Sequence, residues 1–172
     1  MAKVSSSKIK PFLVSAEKMA APRPSYGVNE SVPVYRAELA LVQAREGILG
    51  LIRPILRQHG LTDLQWRVLL TVRSSGEVEV TKLAHMCCLL APSLSRVLRD
   101  LAQRGFLQRR APAADQRRSL VSLSEEGEAL MSEVFPRVLN GCDEVKRLYG
   151  PKRLELLRQV LVEFGEVIRN HA

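Results

Sequence analysis

The chain contains few of the residues that build disulfide frameworks, metal sites or membrane spans. Three cysteines and three histidines occur in 172 residues, without a Cys-x-x-Cys pair, so we expect no disulfide framework and no metal site. No apolar run approaches the roughly 18 residues of a membrane span. The lysines near residue 1 precede no apolar segment of the kind found in secretory signals. These absences predict a protein of the reducing cytoplasm.

Catalytic signatures are also missing from the sequence. There is no glycine-rich phosphate loop, no nucleophile elbow, no metal-binding histidine pair and no repeated carboxylate motif. We therefore expect that the protein is not an enzyme and uses no cofactor. With 46% apolar and 26% charged residues, the chain predicts one globular domain that is large enough to build a core.

Positive charge is concentrated in one stretch. Residues 79–120 hold eight basic and three acidic residues, so +5 of the net charge of +8 lies in about a quarter of the chain. A polyanion is the partner that this charge favours.

The same stretch predicts a winged helix-turn-helix. Residues 82–98 read as a short helix, a tight turn and a second helix, and the runs 107–110 and 120–123 predict two strands of a wing, with Val78 as a possible third strand. We expect a mainly α fold: a winged helix-turn-helix with a two- to three-stranded wing, flanked by N- and C-terminal helices. The expected partner is double-stranded DNA.

Periodicity in the second helix separates a buried from an exposed face. Pro92 suits a first helical turn, and the apolar set consists of Leu94, Val97, Leu98 and Leu101. Arginine can bind guanine in a bidentate manner, and arginines at a wing tip suit the minor groove, with Asp115 orienting them or closing the turn. The predicted DNA-binding residues are Ser93, Ser95, Arg96, Arg99, Arg117 and Arg118. The alternative for the helix is an ordinary solvated face.

Long helices are predicted on both sides of this lobe. Apolar residues at Leu41, Ile48, Ile52 and Ile55 predict a first helix over 36–61, closed by Gly60. Thr62 is expected to cap the next helix, in which Leu64, Val68, Leu69 and Val72 are buried. The DNA-binding lobe spans 62–123. Two helices follow in 124–172. The first is expected to kink at Pro136, and Gly150 and Pro151 separate it from the second. Their heptad-like seam favours a homodimer.

Residues 1–35 are rich in serine, lysine and proline. Two interpretations are open: a flexible basic tail, or an arm that crosses the dimer partner or touches DNA through apolar anchors such as Phe12 and Tyr26.

The helix order, the run from Pro92 to Arg96 and the run from Asp115 to Arg118 resemble the MarR family of winged-helix transcriptional regulators. Within it, residues 43–46, 53–54 and 59–67 are similar to the branch that represses homoprotocatechuate and other aromatic-acid degradation operons. The resemblance implies that the N-terminal helix (36–61) and the C-terminal helices (124–172) are dimerisation helices. It also implies a repressor that binds an inverted-repeat operator and is released by a small aromatic carboxylate.

The implied effector site lies between the dimerisation helices and the DNA-binding lobe. Its candidate ligand-binding residues are Arg45, Trp66, Arg67 and His59. A buried carboxylate needs a guanidinium donor and an aromatic ring needs apolar walls. Arg45 could instead pair with Glu46 or Glu38, and Trp66 could simply fill the core.

Two other kinds of DNA-binding regulator remain open as alternatives to one controlled by an aromatic acid. Some relatives sense peroxide through a cysteine of the first helix, but residues 37–57 contain none, and Cys87, Cys88 and Cys142 are expected to be buried and inert. A DNA-binding regulator without ligand control would share the charge but would not need Trp66 and Arg67.

Overall fold

The computed structural model describes residues 32–111 and 119–171. Helix α1 spans Val32–Gln58, so it begins inside the segment 1–35 that the sequence assigned to the arm. That boundary was wrong because Pro33 lies in the first turn, where a helix tolerates proline. The remainder of the predicted arm lies outside the described residues.

Composition predicted one domain, whereas the described chain divides between Ile48 and Leu49 into two units. The first unit contains the start of α1, whose side chains from residue 33 to 46 are all exposed. The second unit contains the end of α1 and every other element.

The turn after α1 has the geometry predicted for Gly60. The φ of Gly60 is +62°, and its amide donates to Arg57 O. The amide of Leu61 donates to Leu56 O at 2.9 Å. This is a Schellman ending, and buried Leu56 and Leu61 supply the apolar residues that usually accompany it.

Helix α2 spans Asp63–Ser75 and begins with a complete capping box, since Thr62 Oγ1 accepts from the amide of Gln65 and Gln65 Oε1 accepts from the amide of Thr62. Val68, Leu69 and Val72 are buried as predicted. Leu64 was predicted to be buried and is 36% exposed, because Trp66 takes the inward position in the first turns of the helix.

The winged lobe follows the predicted order. Strand β1 spans Val78–Glu79, helix α3 Val80–Met86, helix α4 Ala91–Gln103, strand β2 Leu107–Arg110 and strand β3 Leu120–Leu123. The sheet order is β1-β3-β2 and both pairings are antiparallel, with Val78 opposite Val121 and Leu107 opposite Leu123. The prediction of Val78 as a third strand is confirmed.

Helix α5 spans Glu125–Tyr149 and carries Pro136 within its length. Ser124 caps it as predicted, accepting from the amide of Gly127 at 3.0 Å, and its hydroxyl also donates to Gly105 O. Helix α6 spans Pro151–His171, and none of its residues is buried in the single chain. No helix in the described ranges is both long and apolar enough to cross a membrane.

A single core joins the helices of the second unit to the sheet. Its fully buried side chains come from α1, α2, α3, α4, β3 and α5, and the largest are Leu56, Leu69, Leu83, Leu94, Leu98, Leu101 and Met131. The mainly α, winged helix-turn-helix fold predicted from the sequence is confirmed.

Candidate nucleic-acid interface

Helix α4 buries its apolar stripe and exposes the side chains predicted to contact DNA. Leu94, Leu98 and Leu101 are fully buried and Val97 is 8% exposed. Proline occupies the first turn, as predicted for Pro92. The exposed face carries Ser93, Ser95, Arg96 and Arg99. The lobe therefore anchors this helix on one side and presents hydroxyls and guanidinium groups on the other.

A cleft of about 520 Å³ lies between α4 and β2. Its lining residues are Ser95, Arg99, Ala102, Gln103 and Arg109. Neither Arg99 nor Arg109 forms an ion pair with a residue in the described ranges. Arg109 was counted in the basic stretch, but no contact was predicted for it. No sequence pattern pointed to Gln103.

Arg110, next to Arg109 on β2, has a different partner. Its Nε donates to Glu77 Oε1 at 2.7 Å and its Nη2 donates to Glu77 Oε2 at 2.5 Å. The hydrogen bonds from Arg110 lower the pKa of the Glu77 carboxyl below its usual value. Since Glu77 neutralises this guanidinium, the available positive charge of the lobe is smaller than the sequence count indicates.

Arg104, also counted in the basic stretch, is turned toward the end of α1. Its Nη1 donates to Gly60 O at 2.9 Å and its Nη2 donates to His59 O at 3.3 Å. Its guanidinium carbon lies 4.9 Å from the centre of the Phe106 ring. Arg104 therefore binds protein carbonyls. The predicted contacts at Arg117 and Arg118, with the orienting Asp115, lie outside the described residues.

Among the predicted effector residues, Arg45 lies in the first unit and pairs with its neighbour. Its Nη1 is 2.8 Å from Glu46 Oε1, and its side chain is 50% exposed. This is the ion pair that the sequence offered as the alternative for Arg45.

Trp66 lies in the core of the second unit. It is 5% exposed and stacks on Phe135, with ring centroids 6.4 Å apart and 28° between the planes. The guanidinium of Arg73 lies 5.2 Å from the Phe135 centroid, and its Nη1 donates to Met131 O. Phe135 and Arg73 were missed because their place beside Trp66 depends on the packing of α2 against α5.

Arg67 and His59 face other elements. Arg67 Nη1 donates to Cys87 O, at the end of α3, at 3.0 Å. His59 Nδ1 lies 4.0 Å from Glu133 Oε1, and His59 Nε2 is buried without a hydrogen-bond partner in the described part of the chain. The structure therefore directs Arg67 to the helix-turn-helix and His59 to α5.

A second cleft, of about 410 Å³, opens beside the turn between α1 and α2. Its lining residues are Arg53, Arg57, Leu61, Thr62, Asp63 and Leu64. Arg53 donates to Asp63 Oδ2 from both Nε and Nη2, whereas Arg57 is an exposed cation in the same lining as Leu61 and Leu64. Guanidinium and apolar walls are the groups that a carboxylate with a hydrocarbon body needs.

The three cysteines differ from one another. Cys87 is fully buried, and burial raises the pKa of its thiol. Burial also raises the pKa of the half-buried Cys142. Cys88 was predicted to be buried but is exposed, because its backbone turns into the left-handed region with φ of 50° and directs the side chain outward. No group of three potential metal ligands occurs among the described residues.

Comparison with known proteins agrees with this geometry. Residues 61–119 match the model of the MarR family. The transcriptional regulator FarR of Neisseria gonorrhoeae is 35% identical over 75% of this chain and 88% of its own length. The homoprotocatechuate degradative operon repressor of Escherichia coli is 32% identical over 73% of this chain and 85% of its own. The crystal structure of NadR with 4-hydroxyphenylacetate has a TM-score of 0.71 and 33% identity, and the match covers 84% of this chain and 97% of that one.

Proposed function

Because this chain belongs to the MarR family of transcriptional regulators, we propose that it is a repressor that binds an inverted-repeat operator as a homodimer and is released by a small aromatic carboxylic acid. The observation that carries the DNA-binding part is the exposed face of α4. This face carries hydroxyl and guanidinium groups, and the opposite face of the helix is buried in the core. This arrangement suits base reading in the major groove.

The cleft between α4 and β2 supports a backbone contact beside the base contacts. A phosphate near Arg99 and Arg109 would be held by two cations, with the Ser95 hydroxyl and the Gln103 amide as further donors. Ser93, Arg96 and the wing arginines Arg117 and Arg118 complete the proposed DNA-binding set.

The proposed homodimer is supported by the apolar surface of the terminal helices. Leu157, Leu161 and Ile168 of α6 are 40%, 39% and 49% exposed, and Leu41 and Ile48 of α1 are 36% and 52% exposed. Exposed apolar stripes of this length on helices suit a helix-on-helix interface. Two recognition helices related by a twofold axis require an operator of inverted half-sites.

The effector class is supported by two relatives. NadR was crystallised with 4-hydroxyphenylacetate, and the repressor from Escherichia coli is named for a homoprotocatechuate degradative operon. In this chain the proposed effector-binding residues remain Arg45, Trp66, Arg67 and His59. The stacked pair of Trp66 and Phe135 offers an aromatic wall, and His59 Nε2 is a buried polar atom that lacks a described partner.

The test begins with an operator selected by the wild-type protein from a pool of random duplexes. Operator-bound protein is then titrated with 4-hydroxyphenylacetate and related arylacetic and arylacrylic acids. We expect an effective acid to weaken operator binding by about five- to 150-fold, the range of typical allosteric coupling. Arg45→Ala should bind the operator with wild-type affinity and respond less to the acid, because it removes a countercharge far from α4 in sequence.

Arg57→Ala is the matched control, since it removes an arginine of the second cleft. If Arg57→Ala loses the response while Arg45→Ala keeps it, the acid binds beside the turn between α1 and α2. If no acid of the panel alters operator binding, the chain is a DNA-binding regulator that acts without such an effector. Selection of an operator without inverted symmetry would contradict the proposed dimeric mode of binding.

A further inference from the structure

Arg104, the C-cap residue directly after the proposed recognition helix α4, joins this helix to the turn after α1. Its two terminal nitrogens donate to the carbonyls of His59 and Gly60, 45 and 44 residues away in sequence. These carbonyls lie at the C-terminal end of α1, where the helix dipole is negative and no intrahelical amide is available to them. The cation therefore satisfies backbone groups that α1 leaves free.

Asp100, one turn earlier on α4, makes a second connection to the same region. Gln65 Nε2 donates to Asp100 Oδ2 at 2.5 Å, while Gln65 Oε1 accepts from the amide of Thr62. Arg104 Nη1 lies 3.9 Å from Asp100 Oδ2, so the two connections meet at one carboxylate. The last turn of α4 is thus held to the end of α1 and to the start of α2 by one polar network.

The geometry of this network requires arginine. Two donors of one planar guanidinium reach two successive carbonyls, and the same plane lies over the Phe106 ring at 4.9 Å. A lysine ammonium keeps the charge but has neither the fork nor the flat face. With the side chain of Arg104 30% exposed and that of Asp100 48% exposed, the network lies at the surface beside the proposed interface.

We propose that Arg104 is a positioning residue for operator recognition: together with Asp100 and Gln65 it fixes α4 against the turn between α1 and α2, and it does not itself bind phosphate. The inference rests on the proposed function, because it concerns how α4 is aimed at DNA. It also reassigns one of the cations of the basic stretch. Specific reading of bases needs the helix held in place, whereas non-specific binding needs only its charge.

Electrostatics and positioning make opposite predictions for Asp100. Asp100→Asn removes a negative charge from the helix that faces a polyanion, so charge alone would tighten binding to every duplex. If the carboxylate instead holds Arg104 and Gln65, the same variant should bind the operator more weakly. The sign of this change separates the two roles.

The experiment compares Arg104→Lys, Asp100→Asn and Arg110→Lys. Arg110→Lys is the matched control because Arg110 also forms a bidentate pair, but with Glu77, the residue directly before β1. Each protein is measured on the selected operator and on a scrambled duplex of equal length over a salt series. Thermal melting checks that each variant is folded at the assay temperature.

We expect Arg104→Lys and Asp100→Asn to reduce the preference for operator over scrambled duplex by about tenfold, equivalent to about 1.4 kcal/mol. The slope of log affinity against log salt should stay at its wild-type value, and Arg110→Lys should keep the full preference. Tighter binding by Asp100→Asn, or an unchanged preference in Arg104→Lys, would overturn the inference alone. A wild-type protein that shows no salt-dependent preference for any duplex would overturn the proposed function as well.

Discussion

Gly127 occupies a position in the first turn of α5 where no side chain fits. A Cβ built there would collide with the carbonyl oxygen of Phe106, a backbone atom just before β2, and would approach the Leu123 side chain at 3.3 Å. The amide of Gly127 also donates to the capping Ser124 Oγ. The close approach of α5 to the sheet therefore depends on glycine.

Gly127→Ala should lower the free energy of unfolding by about 1–3 kcal/mol, the usual cost of overpacking a close contact. Urea unfolding followed by circular dichroism measures the change. Gly50→Ala is the matched control, because its Cβ meets nothing within 4 Å and alanine favours a helix. Equal stability of Gly127→Ala and wild type would show that α5 can shift away from the sheet at no cost.

The thiols should differ in reactivity at neutral pH. Cys88 is exposed, whereas burial raises the pKa values of Cys87 and Cys142 and keeps both in the unreactive thiol form. Iodoacetamide should label one cysteine rapidly in the native protein, and Cys88→Ser should abolish that rapid phase. Mass spectrometry of the labelled peptides identifies the site. Rapid labelling of Cys87 would contradict its burial.

The same shifts predict a loss of stability in alkali. A raised pKa in the folded state means that the protonated thiol stabilises the fold at pH values below the unfolded pKa of about 8.5, and that this contribution disappears as the pH rises through the folded pKa. Wild type should lose more stability between about pH 8 and 10 than the variant Cys87→Ala. Parallel pH profiles of the two proteins in urea unfolding would contradict the prediction.

Strand β2 provides a matched pair of adjacent arginines with different partners. Arg109 faces the cleft beside α4, whereas Arg110 is neutralised by Glu77. Arg109→Gln should weaken binding to operator and scrambled duplex alike and should reduce the salt slope by about 0.9, the value of one phosphate contact. Arg110→Gln changes the net charge equally and should leave the slope unchanged. Equal effects of the two variants would mean that only net charge matters.

Local signals in the sequence were sufficient for most of the elements. The caps at Thr62 and Ser124, the glycine ending at Gly60 and the apolar stripe of α4 were all predicted, because each depends on a few neighbouring residues. Leu64 and Cys88 were wrong because burial depends on which neighbour in the fold takes the inward position and on the backbone φ.

The candidate site was less accessible to sequence reasoning. Arg104 and Arg110 look like DNA-binding residues in a basic stretch, yet their partners lie 44 and 33 residues away. The sequence does not indicate which backbone carbonyl an arginine will bind. It also does not distinguish Glu77 from the other acidic residues. The stack of Trp66 on Phe135 depends on how α5 packs against α2, which periodicity alone does not determine.

At the scale of the whole molecule, the exposed apolar face of α6 is the surface that we expect a second copy of the chain to cover. Helix α6 has no buried residue in the single chain, although leucines recur along one face. Leu161→Glu should weaken the proposed homodimer, because it places a charge in the centre of that face. Sedimentation velocity over a concentration series should show a monomer at concentrations at which the wild type is dimeric.

Gln159→Glu is the control, since it adds the same charge beside Glu155 on the polar face of α6. It should sediment like the wild type and bind the inverted repeat with similar affinity. Dimeric Leu161→Glu would exclude this face of α6 from the interface.

The order of the strands bears on the synthesis of the chain. Strand β3 pairs with both β1 and β2, which do not pair with each other, and it is the last of the three to leave the ribosome. Until residues 120–123 emerge, the two earlier strands have no partner within the sheet and their backbone groups stay open. A nascent chain halted before Leu120 therefore cannot assemble the lobe, and its exposed apolar residues would be available to chaperones. The proposed recognition helix α4 is complete in sequence well before the sheet that supports it can exist.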